Sequence, residues 1–156
     1  MNSGRRRMLQ GSGGAAVMGL AMAAGLLKPG KAHAEAWNKA AFDTKSLNDA
    51  VKALGGSPPT ESKDIVINSP DIAENGAVVP FTISSNLPKS ESIAVLIEKN
   101  PNILAANFEI PPGTDPWVNT RVKMGQTSRV IALVKADGKY YYNAKEVKVT
   151  LGGCGG

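Results

Sequence analysis

The 156-residue chain has one cysteine, one histidine and few aromatic residues: two Trp, three Tyr and three Phe. The histidine, His33, lies near the start, and the cysteine, Cys154, stands two residues from the end. Beyond residue 34 there is no histidine at all. That scarcity excludes Ser-His-Asp and Cys-His nucleophilic pairs, Cys/His zinc sites, CxxC redox motifs and haem attachment. No P-loop or GxGxxG is present. Acids occur all along the chain, but nothing in their spacing selects a catalytic pair, and they read as solvated surface charge. "DIAENG" at 71–76 offers acids and a glycine, yet lacks the loop length and closing glutamate of a calcium loop. No metal and no cofactor are expected.

An excess of one charge is lacking too, once its place is considered. The net charge is +5, but the first 34 residues hold Arg5, Arg6, Arg7, Lys28 and Lys31 and no acid, so the rest is formally neutral. The remaining Lys and Arg form no stripe and have no interleaved aromatics, which argues against nucleic acid as a partner. Residues 1–34 read as a cleaved export signal: a basic start, an apolar stretch from Gly11 to Leu27, and Ala32-His33-Ala34 before Glu35. Arg5-Arg6, then Arg7, Met8-Leu9 and Gln10, resembles the twin-arginine signal, which sends folded proteins to the periplasm. An ordinary secretory signal with one extra arginine is the alternative. No later run reaches the roughly 18 apolar residues of a membrane span, so stable membrane insertion is not expected.

The rest divides into a body at 35–151 and a tail at 152–156. Leu47, Ala50, Val51 and Leu54 follow helical spacing, with Thr44 or Ser46 as N-cap and Gly55-Gly56 as the stop. The narrow stripe predicts a helix packed on something larger, either this domain or another subunit. β signals follow at 64–68, 77–84, 92–99, 104–110, 117–124, 127–136 and 139–151. Pro80 marks the second as an edge strand or a bulge. The nearly continuous apolar run at 92–99 suits a central sandwich strand. Asp137-Gly138 between two apolar runs is a strong two-residue hairpin signal. Seven short strands with regular turns predict a mainly all-β fold, an immunoglobulin-like antiparallel sandwich with an N-terminal helix. Tyr140 and Tyr142 share one strand face and Tyr141 takes the other, as sheet packing requires. Trp117 can serve as an interface anchor or pack in the body; Trp37 can pack under the helix or on a partner.

The pattern ends in Gly152-Gly153-Cys154-Gly155-Gly156. Four glycines in five residues predict a flexible arm, reaching roughly 15 Å at full extension. An unpaired cysteine in an exported protein serves an intermolecular bond or is kept for reaction. Cys154 has no cation, histidine or helix N-terminus beside it in sequence to lower its pKa. It is poorly equipped to run chemistry alone and well equipped to be inserted into another protein's pocket. That is the logic of a covalent carrier arm.

The GGCGG terminus, the twin-arginine start, "PDIAENGAVVPFTI" at 70–83 and the histidine-free β body together resemble the SoxY family of sulfur carriers. The resemblance spans essentially all of the body and tail. It implies an immunoglobulin-like fold, a tight heterodimer with a SoxZ subunit, and a non-enzymatic role in which Cys154 carries sulfur intermediates on an arm of Gly152, Gly153, Gly155 and Gly156. It further implies that a haem enzyme, SoxAX, joins thiosulfate to the thiol oxidatively. A dimanganese hydrolase, SoxB, then releases sulfate, and a molybdenum–haem sulfane dehydrogenase, SoxCD, where present, oxidises the sulfur left behind. Three other readings stand beside it. A structural sandwich would use Cys154 for a permanent intermolecular disulfide, and an oxidised carrier can also form a disulfide-linked dimer through Cys154. A ubiquitin-like carrier would use Gly155-Gly156 as a thiocarboxylate, which needs cytoplasmic ATP. Prenylation fails because Cys154 is third, not fourth, from the end.

Overall fold

The computed structural model describes residues 38–150. Two short helices open it, α1 at Lys39–Phe42 and α2 at Leu47–Ala53. Nine strands follow: β1 Thr60–Glu61, β2 Ile65–Asn68, β3 Ile72–Ala73, β4 Val79–Ser85, β5 Ser90–Ile97, β6 Leu104–Glu109, β7 Trp117–Val122, β8 Ser128–Ala136 and β9 Lys139–Val149. All seven expected strands form. The two additions, β1 and β3, have two residues each, too few for any periodicity to announce them.

One sheet runs β1-β9-β8-β5-β6, with β3 also pairing β9, and the other runs β2-β4-β7. Between them lies a core that includes Phe81, Ile83, Ile93, Val95, Val130, Val134 and Val147. The larger sheet also buries its far face. There Leu96, Ile131, Leu133 and Tyr140 pack with Ala41, Ala50 and Val51 of the helices. Cover on both faces explains why β5 is an unbroken apolar run: a one-sided strand would alternate. The helix expected to lean on a larger object leans on its own sheet.

Local chemistry sets the boundaries. Ser46 is the N-cap of α2, its Oγ accepting from Asp49 N at 3.1 Å. Thr44 is buried instead and donates from Oγ1 to Ala41 O at 2.7 Å. At the other end Gly56 N donates to Val51 O and Gly55 N to Lys52 O, both at 2.9 Å, and Gly55 takes φ +81°. These two bonds form a Schellman cap. The β8–β9 turn has positive φ at both Asp137 and Gly138, the type I′ geometry that matches strand twist.

Pro80 corrects an expectation. β4 is the middle strand of its sheet rather than an edge. β2 pairs only as far as Asn68 opposite Thr82, so at Pro80 the β2 side of β4 is unpaired and its missing N–H is tolerated. The tyrosines divide as expected: Tyr140 and Tyr142 face the helices, and Tyr141 packs against the inter-sheet core. Trp117 is 56% exposed on the outer side of β7, so it does not anchor the core.

Candidate functional site

Cys154, Gly152, Gly153, Gly155, Gly156, Arg5, Arg6 and Trp37 lie outside the described residues. What the structure does define is the place from which the tail departs. β9 carries the chain along the whole length of the larger sheet, paired to β8 from Ala136↔Lys139 to Ser128↔Val147. Its last residues are gripped on both sides. Toward β8, Val149 N donates to Thr127 Oγ1 at 3.0 Å. On the outer side β3 pairs in parallel, Ile72 with Lys148 and Ala73 with Val149. Lys148 N donates to Asp71 O at 2.9 Å and Thr150 N to Ala73 O at 3.1 Å.

A segment that buries only Ala73 and Gly76 supports this grip. Asn75 Oδ1 accepts from Ala77 N at 2.9 Å and bends the chain after β3. Gly76 O then accepts from Met124 N at 2.7 Å. Lys145 pairs with Asp71 at 2.9 Å and donates to Ser69 O at 2.7 Å. The hydrogen bond and charge of Lys145 hold the Asp71 carboxyl below its usual range. None of these partners was legible as a site in the sequence, because most are backbone carbonyls.

Among the described residues Thr150 is the last tied to the body, and Cys154 lies four residues beyond it in sequence, at most about 14 Å of extended chain. A cavity of about 480 Å³ opens between Leu87, Glu91, Ile110, Pro111, Pro112 and Pro116. It sits at the β8–β9 hairpin end, since Glu91 O accepts from Ile110 N and Glu91 Oε1 from Gly138 N. β9 spans eleven residues, about 35 Å, between that end and the tail's root. The cavity and the last described residue, Thr150, therefore lie toward opposite ends of β9. Among the described residues no group of three or more His, Cys, Asp or Glu side chains is placed to hold a metal. No helix among them is long and apolar enough to cross a membrane.

With that geometry in hand, likeness to known proteins is informative. The family model described as "Sulfur oxidation protein SoxY" matches residues 50–154, a stretch that includes Cys154. The solved structure of the sulfur carrier protein SoxY from Chlorobium limicola f thiosulfatophilum is 40% identical. The match covers 67% of this chain and 96% of that one, with a TM-score of 0.61. A superoxide reductase (neelaredoxin) from Ignicoccus hospitalis is 16% identical, with 55% and 80% coverage and a TM-score of 0.50, a likeness of fold alone. No curated protein matches.

Proposed function

Because the chain belongs to the SoxY family of sulfur oxidation proteins, a carrier by role, we propose that it holds sulfur intermediates covalently on the thiol of Cys154. Membership also carries the Sox system and a SoxZ partner in general terms. The chain crosses to the periplasm by a twin-arginine signal containing Arg5 and Arg6. There it presents Cys154, on the arm of Gly152, Gly153, Gly155 and Gly156, to partner enzymes, and it catalyses nothing itself.

The chemistry balances with the partners supplying what this chain lacks. In loading, the Cys154 thiol gives up its proton and a sulfur–sulfur bond forms to the terminal sulfur of thiosulfate. The two electrons released would be taken up one at a time by haem chemistry that the loading enzyme, SoxAX, supplies. In unloading, water attacks the sulfonate sulfur, sulfate and protons leave, and the thiol retains one sulfur atom as a persulfide. The dimanganese hydrolase SoxB performs that step. Where present, the dehydrogenase SoxCD oxidises the persulfide sulfur.

One observation supports this reading above others: the sole cysteine lies four residues past Thr150, the last described residue tied to the body, with only Leu151, Gly152 and Gly153 between. Glycines add no bulk beside the sulfur, so a narrow pocket can admit it. No histidine or second cysteine beyond residue 34 can compete for the thiol. Replacing Cys154 by Ser tests the assignment. Thiosulfate oxidation should stop in cells carrying only the variant, with the protein still folded and at normal abundance. Persistence of oxidation would assign the carrier role elsewhere, for example to a C-terminal thiocarboxylate.

A further inference from the structure

The segment Asp71–Gly76 contributes no group that could react with sulfur, yet it hydrogen-bonds the last described residues of the chain and is closely packed at Gly76. We propose that it is a latch that sets the length of the carrier arm, with Gly76 as its positioning residue; this rests on the carrier reading of Cys154. The latch closes on β9 through three bonds. Lys148 N donates to Asp71 O at 2.9 Å, Thr150 N to Ala73 O at 3.1 Å, and Thr150 Oγ1 to Glu74 O at 3.4 Å. Thr127 Oγ1 completes the grip from the β8 side by accepting from Val149 N. Gly76 ties the segment to the β7–β8 turn by accepting from Met124 N at 2.7 Å.

Only glycine fits at position 76. A Cβ there would lie 2.5 Å from Met124 O and 2.7 Å from Val149 Cγ1. One of those atoms is backbone, and the other belongs to a β-branched side chain with little rotamer freedom. The segment would therefore have to move away from the end of β9. β8 pairs β9 only as far as Val147, so without the latch Lys148–Thr150 loses its outer support. Val149 would still be held by Thr127 Oγ1, so only when that bond opens as well does the stretch between the last tied residue and Cys154 grow from four residues to seven. For a freely jointed stretch the root-mean-square span rises with the square root of length, by about 1.3-fold from four residues to seven. The thiol spreads through a larger volume and its effective concentration at a docked pocket falls. The latch thus makes arm length a property of the fold rather than of the tail sequence alone.

The test uses the whole chain, with nitroxides on native Cys154 and on a second cysteine from Lys139→Cys at the exposed β8–β9 turn. Pulsed electron resonance gives the distance distribution between them, and hydrogen exchange reports the amides of Lys148 and Thr150. In Gly76→Ala combined with Thr127→Val the distribution should be about 1.3-fold wider. The Lys148 and Thr150 amides should lose protection while β5 and β8 amides keep theirs. Thr127→Val, nearly isosteric, should speed exchange at Val149 by about fivefold without changing the global unfolding transition. If Gly76→Ala does not fold, Asn75→Ala, which removes the side-chain bond that bends the latch after β3, decides: faster exchange at Lys148 and Thr150 supports the latch, and unchanged exchange overturns it. Unchanged widths and unchanged exchange at the end of β9 would overturn the latch. Both readouts are taken without cargo. Failure to find adducts would therefore sink the carrier reading and leave the latch standing, and the reverse also holds.

Discussion

Replacing Gly56 by Ala should destabilise the protein by about 1–3 kcal/mol, almost wholly through one neighbour. Gly56 closes the cap of α2, where a new Cβ would lie 2.3 Å from both Cδ2 and Cε2 of Tyr140 and 3.0 Å from Val51 Cγ1. Ordinary carbon contacts are about 3.5–4.0 Å, so the ring must retreat by more than an ångström. It cannot retreat freely, because Tyr140 is buried and its hydroxyl donates to Leu54 O at 3.0 Å. Losing that bond accounts for about 0.5–1.5 kcal/mol of the total. Gly56 is not among the glycines with positive φ, so backbone strain does not enter. The lower unfolded-state entropy of Ala offsets about 0.4–1 kcal/mol. Urea unfolding of wild type, Gly56→Ala, Tyr140→Val and the double variant isolates the pair. The cost of Gly56→Ala should drop by at least 1 kcal/mol when the ring is absent. Additivity within about 0.5 kcal/mol would refute the claim that the helix end seats on Tyr140.

Three further outcomes follow from the fold. Leu96, fully buried between the larger sheet and the helices, should cost about 2–5 kcal/mol on replacement by Ala. Val66, 46% exposed on the other sheet, should cost under about 1 kcal/mol, and calorimetry comparing the two checks that only one sheet is covered. Stability should also be flat across neutral pH and fall at both extremes. Asp71, Asp137 and Glu91 have lowered pKa values, chiefly through hydrogen bonds from Lys145, Lys89 and Lys135. Their contribution is complete above the ordinary carboxylate range and fades as pH drops through the folded values. Lys89 and Lys135 are raised by the same pairs, and Tyr140 by burial. Their contribution is complete below the ordinary Lys and Tyr range and is lost as pH climbs through the folded values, which thermal melts across the pH range will show.

Much of this body was legible from side-chain pattern. β2 and β4–β9 were marked by alternation or apolar runs, and the hairpin by Asp137-Gly138, because both signals reside in side chains and turn chemistry. β1, β3 and α1 were not legible: two-residue strands and a four-residue helix are too short to carry a period. The apolar run of β5 signalled double burial, but not that α1 and α2 supply the second cover. Pro80 misled because the rule against proline in a central strand assumes neighbours along its full length, and β2 stops short. Cys154 stood out through its isolation. The grip on β9 did not, since carbonyls of Asp71, Ala73 and Glu74 look alike in any sequence.

The central claim is that Cys154 carries sulfur covalently, and the mass of the tail peptide tests it most directly. Protein isolated during thiosulfate oxidation, digested without reductant, should yield peptides containing Cys154 that bear an added sulfur atom, a sulfonate or a thiosulfonate. Those additions should vanish on reduction. A tail found only as a uniform disulfide to another chain, or only as the bare thiol under turnover, would contradict the account.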